Sequence, residues 1–428
     1  MADRWTPFGL LWQESNGSIR FATARMSKPL THLAEIHDMR IRYWFSNFPP
    51  TGAMPVGPIG HRLMILPDGW FGQSLACVLL ACGQPLPPDG KTLQSLKVLL
   101  VQTVRLTVKT IVPFLGAREC MVLRNILHSP TLAEYLVRIL RSLSPQPPPQ
   151  QDILNAAVHD LSLQFPVARP FQLRASQEIV RFPAVEYAMA LARTPVPGPG
   201  PWRMLQSRPG SIIETADQLA SVKAHSSATI LCGKFQPQGR RKRPIVTHLV
   251  HGQSPMFGRR FFSVGDIEEL LHHGRLHLEG ILSGPPPRSE TPSALERILA
   301  SLVKTCGGQN RAKRCMAANL VAHTLLVALL DRSRTDPLMT GFGNVWLIDR
   351  DRHTLLPAFN AITAAVGTVV VMGTGTLAFL PPDDERSRRL LMTQLARSGL
   401  RTLGERSTLC SCRMPGPMPC HRNGPGNA

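Results

Sequence analysis

Two proline clusters limit how this chain can fold more than any other feature. Ser144-Pro145-Gln146-Pro147-Pro148-Pro149-Gln150-Gln151 and Pro195-Val196-Pro197-Gly198-Pro199-Gly200-Pro201 lack the amide donors and torsional freedom for a helix interior or a central strand. A third cluster, Gly284-Pro285-Pro286-Pro287, precedes a strong helix start. The first two divide the chain into an expected mainly helical domain over 1–143, a proline-flanked helical connector over 144–201 and an α+β domain over 202–403. A mobile Cys/Pro/Gly-rich tail is expected over 404–428. With 428 residues and a 43% hydrophobic share, the chain has enough apolar surface for more than one core, which excludes global disorder.

Local signals fill these units. From Lys91 to Leu115 the chain is apolar nearly all round, the pattern of a helix buried on several sides. Thr131-Leu132-Ala133-Glu134, Ser211-Ile212-Ile213-Glu214 and Ser293-Ala294-Leu295-Glu296 each have the hydroxyl and carboxylate spacing of a capping box, so three helices are expected to start there. The last of them is expected to stop at Gly307-Gly308. Strands are expected at Ala228–Cys232 and Ile245–Val250, and at Asn344–Ile348, which runs into a polar turn at Asp349–His353 and then apolar Thr354-Leu355-Leu356. Gly367 to Leu380 reads as a hairpin about Gly373-Thr374-Gly375. A last helix is expected from about Asp383 to Ser398, with Gly399 as its stop. The fold class that follows is α+β, with a helical N-terminal part and a mixed helix and antiparallel-strand C-terminal part.

The charge is one-sided. Lys and Arg together number 48 against 28 Asp and Glu, a formal net charge of +20, and 39 of the 48 are Arg. An Arg- and Pro-rich, Lys-poor composition is what GC-rich codons encode, so part of this bias reflects a genome. An Arg-rich exterior still favours acidic partners, nucleic acid or anionic surfaces. The densest run is Gly239-Arg240-Arg241-Lys242-Arg243-Pro244, placed in a connection between two expected strands. Arg240, Arg241, Lys242 and Arg243 form a signal that an import receptor or an acidic partner could read; a solvated loop is the plainer reading. Few aromatics interleave with the basic residues, so a stacking platform for single-stranded nucleic acid is not supported.

No apolar leader is visible from Met1 to Leu11. Cys315 to Leu330 is short for a membrane span and contains Asn319 and His323, so it reads as a buried helix. Nine scattered cysteines suit a reducing compartment better than a disulfide framework.

Candidate chemistry is sparse. Gln73 stands four residues before Cys77, the spacing thiol hydrolases use for an oxyanion donor and a helix-activated thiol. Asp351 and His353 could supply the orienter and base. Cys77 is followed by an apolar run, Val78-Leu79-Leu80-Ala81, so a small thiol buried in a helix is the stronger reading. Cys410, Cys412, Cys420 and His421 are soft ligands for a metal, in a spacing unlike ordinary zinc sites, and no metal or other cofactor is expected. His272, His273 and His277 near Glu268 and Glu269 read as an exposed polar face. Gly373-Thr374-Gly375 and Gly341-Phe342-Gly343 lack the following helix and Lys-Ser/Thr of a phosphate loop, and no serine nucleophile elbow occurs.

Arg4-Trp5-Thr6-Pro7-Phe8-Gly9-Leu10-Leu11-Trp12 and Leu66-Pro67-Asp68-Gly69-Trp70-Phe71-Gly72-Gln73, with Gly343-Asn344-Val345-Trp346-Leu347-Ile348-Asp349, resemble segments of betaherpesvirus tegument proteins of the cytomegalovirus type. The resemblance covers a minority of the chain and transfers no functional residues. It implies a non-enzymatic virion component that binds other tegument or capsid proteins and is found in the virion tegument and in the nucleus and cytoplasm of the host cell. The alternatives are a nuclear regulatory protein contacting nucleic acid electrostatically and a Cys77-dependent thiol hydrolase.

Overall fold

A computed structural model describes residues 8–14, 16–23, 26–32, 35, 41, 43–47, 63–65, 70, 78, 89–129, 131–143, 152–162, 177–195, 197, 201–223, 228–238, 260–285, 294–305, 311–335 and 344–403. The fold is α+β, as the sequence implies, and it opens on strands. β1 (Phe8–Gln13), β2 (Ile19–Ala22), β3 (Ser27–Pro29), β4 (Tyr43–Ser46) and β5 (Leu63–Ile65) form one sheet in the order β3-β2-β1-β4-β5. β1 runs antiparallel to β2 and parallel to β4. Gly9 is required in β1, since a Cβ there would lie 2.3 Å from the Trp44 ring.

The apolar helix follows as α1 (Gly90–Leu115). Asp89 caps it by accepting from Thr92 N at 2.7 Å, and Gly116 ends it in the left-handed region at φ 59°, a backbone shape that disfavours a Cβ. Buried Thr103 and Thr107 donate back to the carbonyls of Leu99 and Thr103 at 2.9 and 2.8 Å, which lets hydroxyls sit in a dry interface. α1 is long and apolar enough to cross a membrane by length and composition, but its inward faces lie in the first core. α2 (Glu119–His128), α3 (Leu132–Leu143) and α4 (Asp152–Ser162) come next. Thr131 Oγ1 accepts from Glu134 N at 3.0 Å, the expected cap of α3.

β6 (Glu178–Arg181) and α5 (Ala184–Ala192) precede β7 (Arg203–Gln206), β8 (Ile212–Ile213) and α6 (Ala216–Lys223). Here the expected box at Ser211 is displaced. Ile212 and Ile213 pair with the strand that later carries Leu276 and His277, and the helix starts four residues further on. Thr215 and Gln218 cap it reciprocally, at 3.3 Å to Gln218 N and 3.1 Å to Thr215 N. The two isoleucines are β-branched and sit beside an available strand, so tertiary pairing overrides the local spacing.

β9 (Ala228–Pro237), β10 (Phe261–Ser263), α7 (Val264–Leu270) and β11 (Gly274–Gly284) complete the second sheet. Its order is β10-β9-β11-β7, with β8 also on β11. β9 and β11 cross closely at Gly233, where a Cβ would meet His277 O at 2.2 Å. Then come α8 (Ala294–Thr305), α9 (Arg311–Thr335) and α10 (Asn344–Ala364). α9 is the buried helix expected around Cys315–Leu330, and Asn319 explains its polar residue. The Asn319 side chain accepts from Val185 N at 3.0 Å and donates to Cys315 O at 3.0 Å, tying α9 to the start of α5.

α10 replaces the strand and polar turn expected over 344–356. Leu347, Ile348, Asp351, Arg352, Leu355, Leu356, Phe359 and Ile362 are all buried at helical spacing. The charged stretch looks like a turn because its partners lie far away in sequence. β12 (Thr368–Gly373), β13 (Thr376–Leu380), α11 (Glu385–Arg397) and β14 (Arg401–Thr402) finish the chain, and the third sheet runs β12-β13-β6-β14. The hairpin from Gly367 to Leu380 and the helix ending before Gly399 stand where the sequence places them.

The first core joins Phe8, Leu10 and Phe45 to α1, α3, α5, α8, α9 and the start of α10. It therefore draws on residues from both sides of 144–201. The second joins Leu231, Phe262, Ile267 and Leu276 to Leu355, Phe359, Phe379 and Leu391. α10 contributes to both, and the side chains between its two apolar ends are the charged ones.

Candidate functional site

Helix α10 positions Asp349, Arg352 and His353 at i, i+3 and i+4, so the three share one face. That face meets the first turn of α7. Ser263 caps α7, its Oγ accepting from Asp266 N at 3.1 Å, while Asp266 Oδ2 accepts from Ser263 N at 3.3 Å. The other oxygen, Asp266 Oδ1, lies 2.5 Å from Arg352 Nη2. Arg352 also pairs with Asp349. His353 Nε2 lies 3.4 Å from Asp266 Oδ1 and 3.3 Å from Asp349 Oδ1. Asp266 and Arg352 are fully buried, at 0% and 1% exposure. The approach of the imidazole depends on Gly265, where a Cβ would stand 2.7 Å from His353 Nε2.

The electrostatics follow from the geometry. Burial alone would push His353 down, but the Asp349 and Asp266 carboxylates outweigh it and raise the imidazole to about 9, so it is protonated at neutral pH. Burial would push Asp349 up, yet the His353 and Arg352 charges hold it below its ordinary value. Two carboxylates thus face two cations, and the cluster is neutral as a whole.

Ligand atoms of Asp266, Asp349 and His353 lie within 4.8 Å of one another, a spacing compatible with a metal ion. The donor set argues against that use. A divalent ion would have to displace the Arg352 guanidinium from both carboxylates and remove a proton from an imidazole whose pKa is raised. These residues do not fit a metal.

One helical step away, Asp351 turns to the opposite side. Its carboxylate accepts from Tyr187 Oη at 2.7 Å, Thr374 N at 2.8 Å and Gly375 N at 2.8 Å. The Gly373-Thr374-Gly375 turn, with φ values of 149°, 56° and 67°, therefore forms a small nest of backbone donors. Its anion is a side chain of this protein, which explains a glycine-rich turn without phosphate-loop features. Asp351 is hydrogen-bonded here, and the carboxylates beside His353 are Asp266 and Asp349. The orienter and base expected of Asp351 and His353 do not form a pair.

Other candidates disperse. His272 and His273 follow the end of α7, and His277 lies on β11, 2.9 Å from Gln236 Oε1. Glu269 accepts from Asn360 at 3.1 Å, so these histidines and glutamates do not converge. Cys232 is buried, with Sγ 3.9 Å from Glu279 Oε2; burial pushes the thiol up against the opposing pull of Arg260. His323, buried on α9, is pushed well below its ordinary value by burial and then by the Arg181 charge, so it is neutral. Arg240, Arg241, Lys242 and Arg243, the Ile245–Val250 strand, Cys77, Ser293, Gly307-Gly308, Gly341-Phe342-Gly343, and Cys410, Cys412, Cys420 and His421 lie outside the described residues.

The sequence reading missed the ion cluster, although a signal was present. Asp349, Arg352 and His353 have the i, i+3, i+4 spacing of a helix face, and Ser263 and Asp266 stand at capping-box spacing.

The fold and site define an α+β protein with a self-neutralising charged centre between two helices. No family model matches the chain, and no curated protein matches it. Among solved structures it is similar to phi29 DNA polymerase complexed with single-stranded DNA, at TM-score 0.42 and 8% identity over 89% of this chain and 81% of that one. The same polymerase with primer-template DNA and incoming nucleotides gives TM-score 0.37 and 8% identity, with the same coverage. Likeness at these scores carries no argument about function.

Proposed function

We propose that this chain is a non-enzymatic interaction protein that binds acidic surfaces of other proteins through an Arg-rich exterior. The observation that carries the reading is where its charge lies. Of the described basic side chains, Lys97, Arg181 and Arg352 are the buried ones, against buried Asp266 and Asp351. Among the described residues buried charge nearly cancels, so their basic excess faces outward. Among the described residues, Asp266, Asp349, Arg352 and His353 converge and neutralise one another. The segments resembling tegument proteins support a place in the virion tegument, with viral tegument or capsid proteins as partners. Arg240, Arg241, Lys242 and Arg243 support passage into the host nucleus, with an import receptor as a further partner.

Affinity purification of the full chain with and without nuclease tests this reading. Co-purifying viral proteins should survive nuclease digestion. Loss of every partner on digestion overturns it in favour of electrostatic contact with nucleic acid, whose affinity would fall steeply with salt. Changing Arg240, Arg241, Lys242 and Arg243 together to Ala should move a tagged chain from nucleus to cytoplasm; unchanged nuclear accumulation would reduce the run to a charged loop.

A further inference from the structure

Helix α11 keeps one face open, and the residues on that face are of two kinds only. Leu391 and Leu395 are the buried side chains of the helix and join the second core. On the opposite side, at about 100° per residue, Arg386, Leu390, Thr393 and Arg397 fall in one stripe with Arg389 along its edge. All five are exposed. Leu390 is 64% exposed, more than any other large apolar side chain on a described helix or strand. It sits in the middle of the stripe, with arginines before and after it.

The charges of this stretch are sorted by position. Asp383, Asp384 and Glu385 stand at the helix start, where Asp384 Oδ2 accepts from Ser387 N at 2.7 Å and negative charge suits the N-terminus. From Arg386 to Leu403 there is no acidic residue against five arginines. Arg388, on the flank of the helix, pairs with Glu178. Arg389 pairs with Glu385 at 3.0 Å, both side chains well exposed, a surface pair that another carboxylate can replace at little cost. Among the described residues no carboxylate pairs with Arg386 or Arg397.

An apolar anchor set between cations selects the occupant. The phosphates of a nucleic acid would satisfy the arginines but leave Leu390 in water. A membrane surface would need a broad apolar face, and Leu391 and Leu395 are committed to the core. A second copy would bring an equal excess of positive charge. A helix with carboxylates on either side of an apolar residue meets both features. Its carboxylates take charge-assisted hydrogen bonds from Arg386, Arg389 and Arg397, and its apolar side chain removes Leu390 from water. Arg386 and Arg397 lie about 16 Å apart along the axis, so three turns of such a helix span the stripe. We propose that the outer stripe of α11 docks an acidic amphipathic helix of a partner protein, a site that rests on the reading of this chain as a binder of acidic protein surfaces.

Fluorescence anisotropy with the nuclease-treated full chain tests the proposal. The probe is a labelled alanine-based helical peptide of about four turns, with glutamates on both sides of one leucine along a single face; its control has alanine for that leucine. The leucine peptide should bind more tightly than the control, and salt should weaken both. Arg386→Glu combined with Arg397→Glu should raise the dissociation constant by about tenfold or more, and Leu390→Ser should remove the preference for leucine. Arg386→Gln with Arg397→Gln takes the place of the first pair if circular dichroism shows lost helix. Arg203→Glu with Arg208→Glu makes the same change of charge at exposed positions elsewhere and should leave the constant within about twofold. Equal losses in the two charge-reversed chains, or a wild-type chain with no preference for leucine, overturn the α11 site and leave binding by the exterior at large intact. A wild-type chain that binds neither peptide overturns the site and counts against acidic surfaces as partners altogether.

Discussion

Tyr187 and Asp351, 164 residues apart in sequence, meet through a buried 2.7 Å hydrogen bond from the phenol to the carboxylate. The bond fastens α5 to α10, and the same carboxylate fastens α10 to the β12–β13 turn. Tyr187→Phe keeps the ring and its 4.8 Å stacking on Phe182 but removes one donor from a buried anion. Leaving such a group short of a donor costs about 1–3 kcal/mol. Urea unfolding of the variant should show that loss through a lower midpoint with an unchanged slope.

His353 gives stability a dependence on pH. Its folded pKa is raised to about 9 from an ordinary 6.5. A raised pKa means the folded state holds the proton more tightly, so the contribution is full below about pH 6.5 and is lost as pH rises through about 9. Stability should fall over that window by on the order of a few kcal/mol. His353→Gln should flatten the slope. Gly265→Ala should weaken it too, because its Cβ would stand 2.7 Å from His353 Nε2 and push the imidazole away.

What the sequence revealed and concealed divides along the range of the forces involved. The Thr131 cap, the 367–380 hairpin and the helix before Gly399 are set by neighbours within a few residues, and all three stand as read. Asp349 to His353 resembled a polar turn because five charged residues in a row are ordinarily solvated. They are helical because Arg352 finds Asp266 and Asp351 finds Tyr187, contacts that no local pattern announces. The parallel pairing of β1 with β4 is equally non-local, so the N-terminal sheet was not read from its short strands.

Arg352 and Asp266 supply a test of whether the cluster acts as a unit. Arg352→Ala leaves two carboxylates, one of them fully buried, with His353 as their remaining cation. Removing one partner of such a pair costs about 3–5 kcal/mol. Arg352→Met combined with Asp266→Asn removes both charges and fills the space. The pair of changes should therefore destabilise less than Arg352→Ala alone, and a double-mutant cycle should return a coupling of about 1–3 kcal/mol. Additive effects would mean that the two side chains do not interact.

Val366 ends α10 where glycine is ordinarily found. Its amide donates to Thr363 O at 3.2 Å and the next amide, from Gly367, to Ile362 O at 2.9 Å, the bonding of a helix terminus whose first residue beyond the helix is left-handed. Val366→Gly should relieve roughly 1–2 kcal/mol of backbone strain and give back about 0.5–1 kcal/mol through the freer unfolded chain. The net effect is a modest stabilisation, read as a higher thermal midpoint. A lower midpoint would show that the valine side chain makes intramolecular contacts worth more than the strain it imposes.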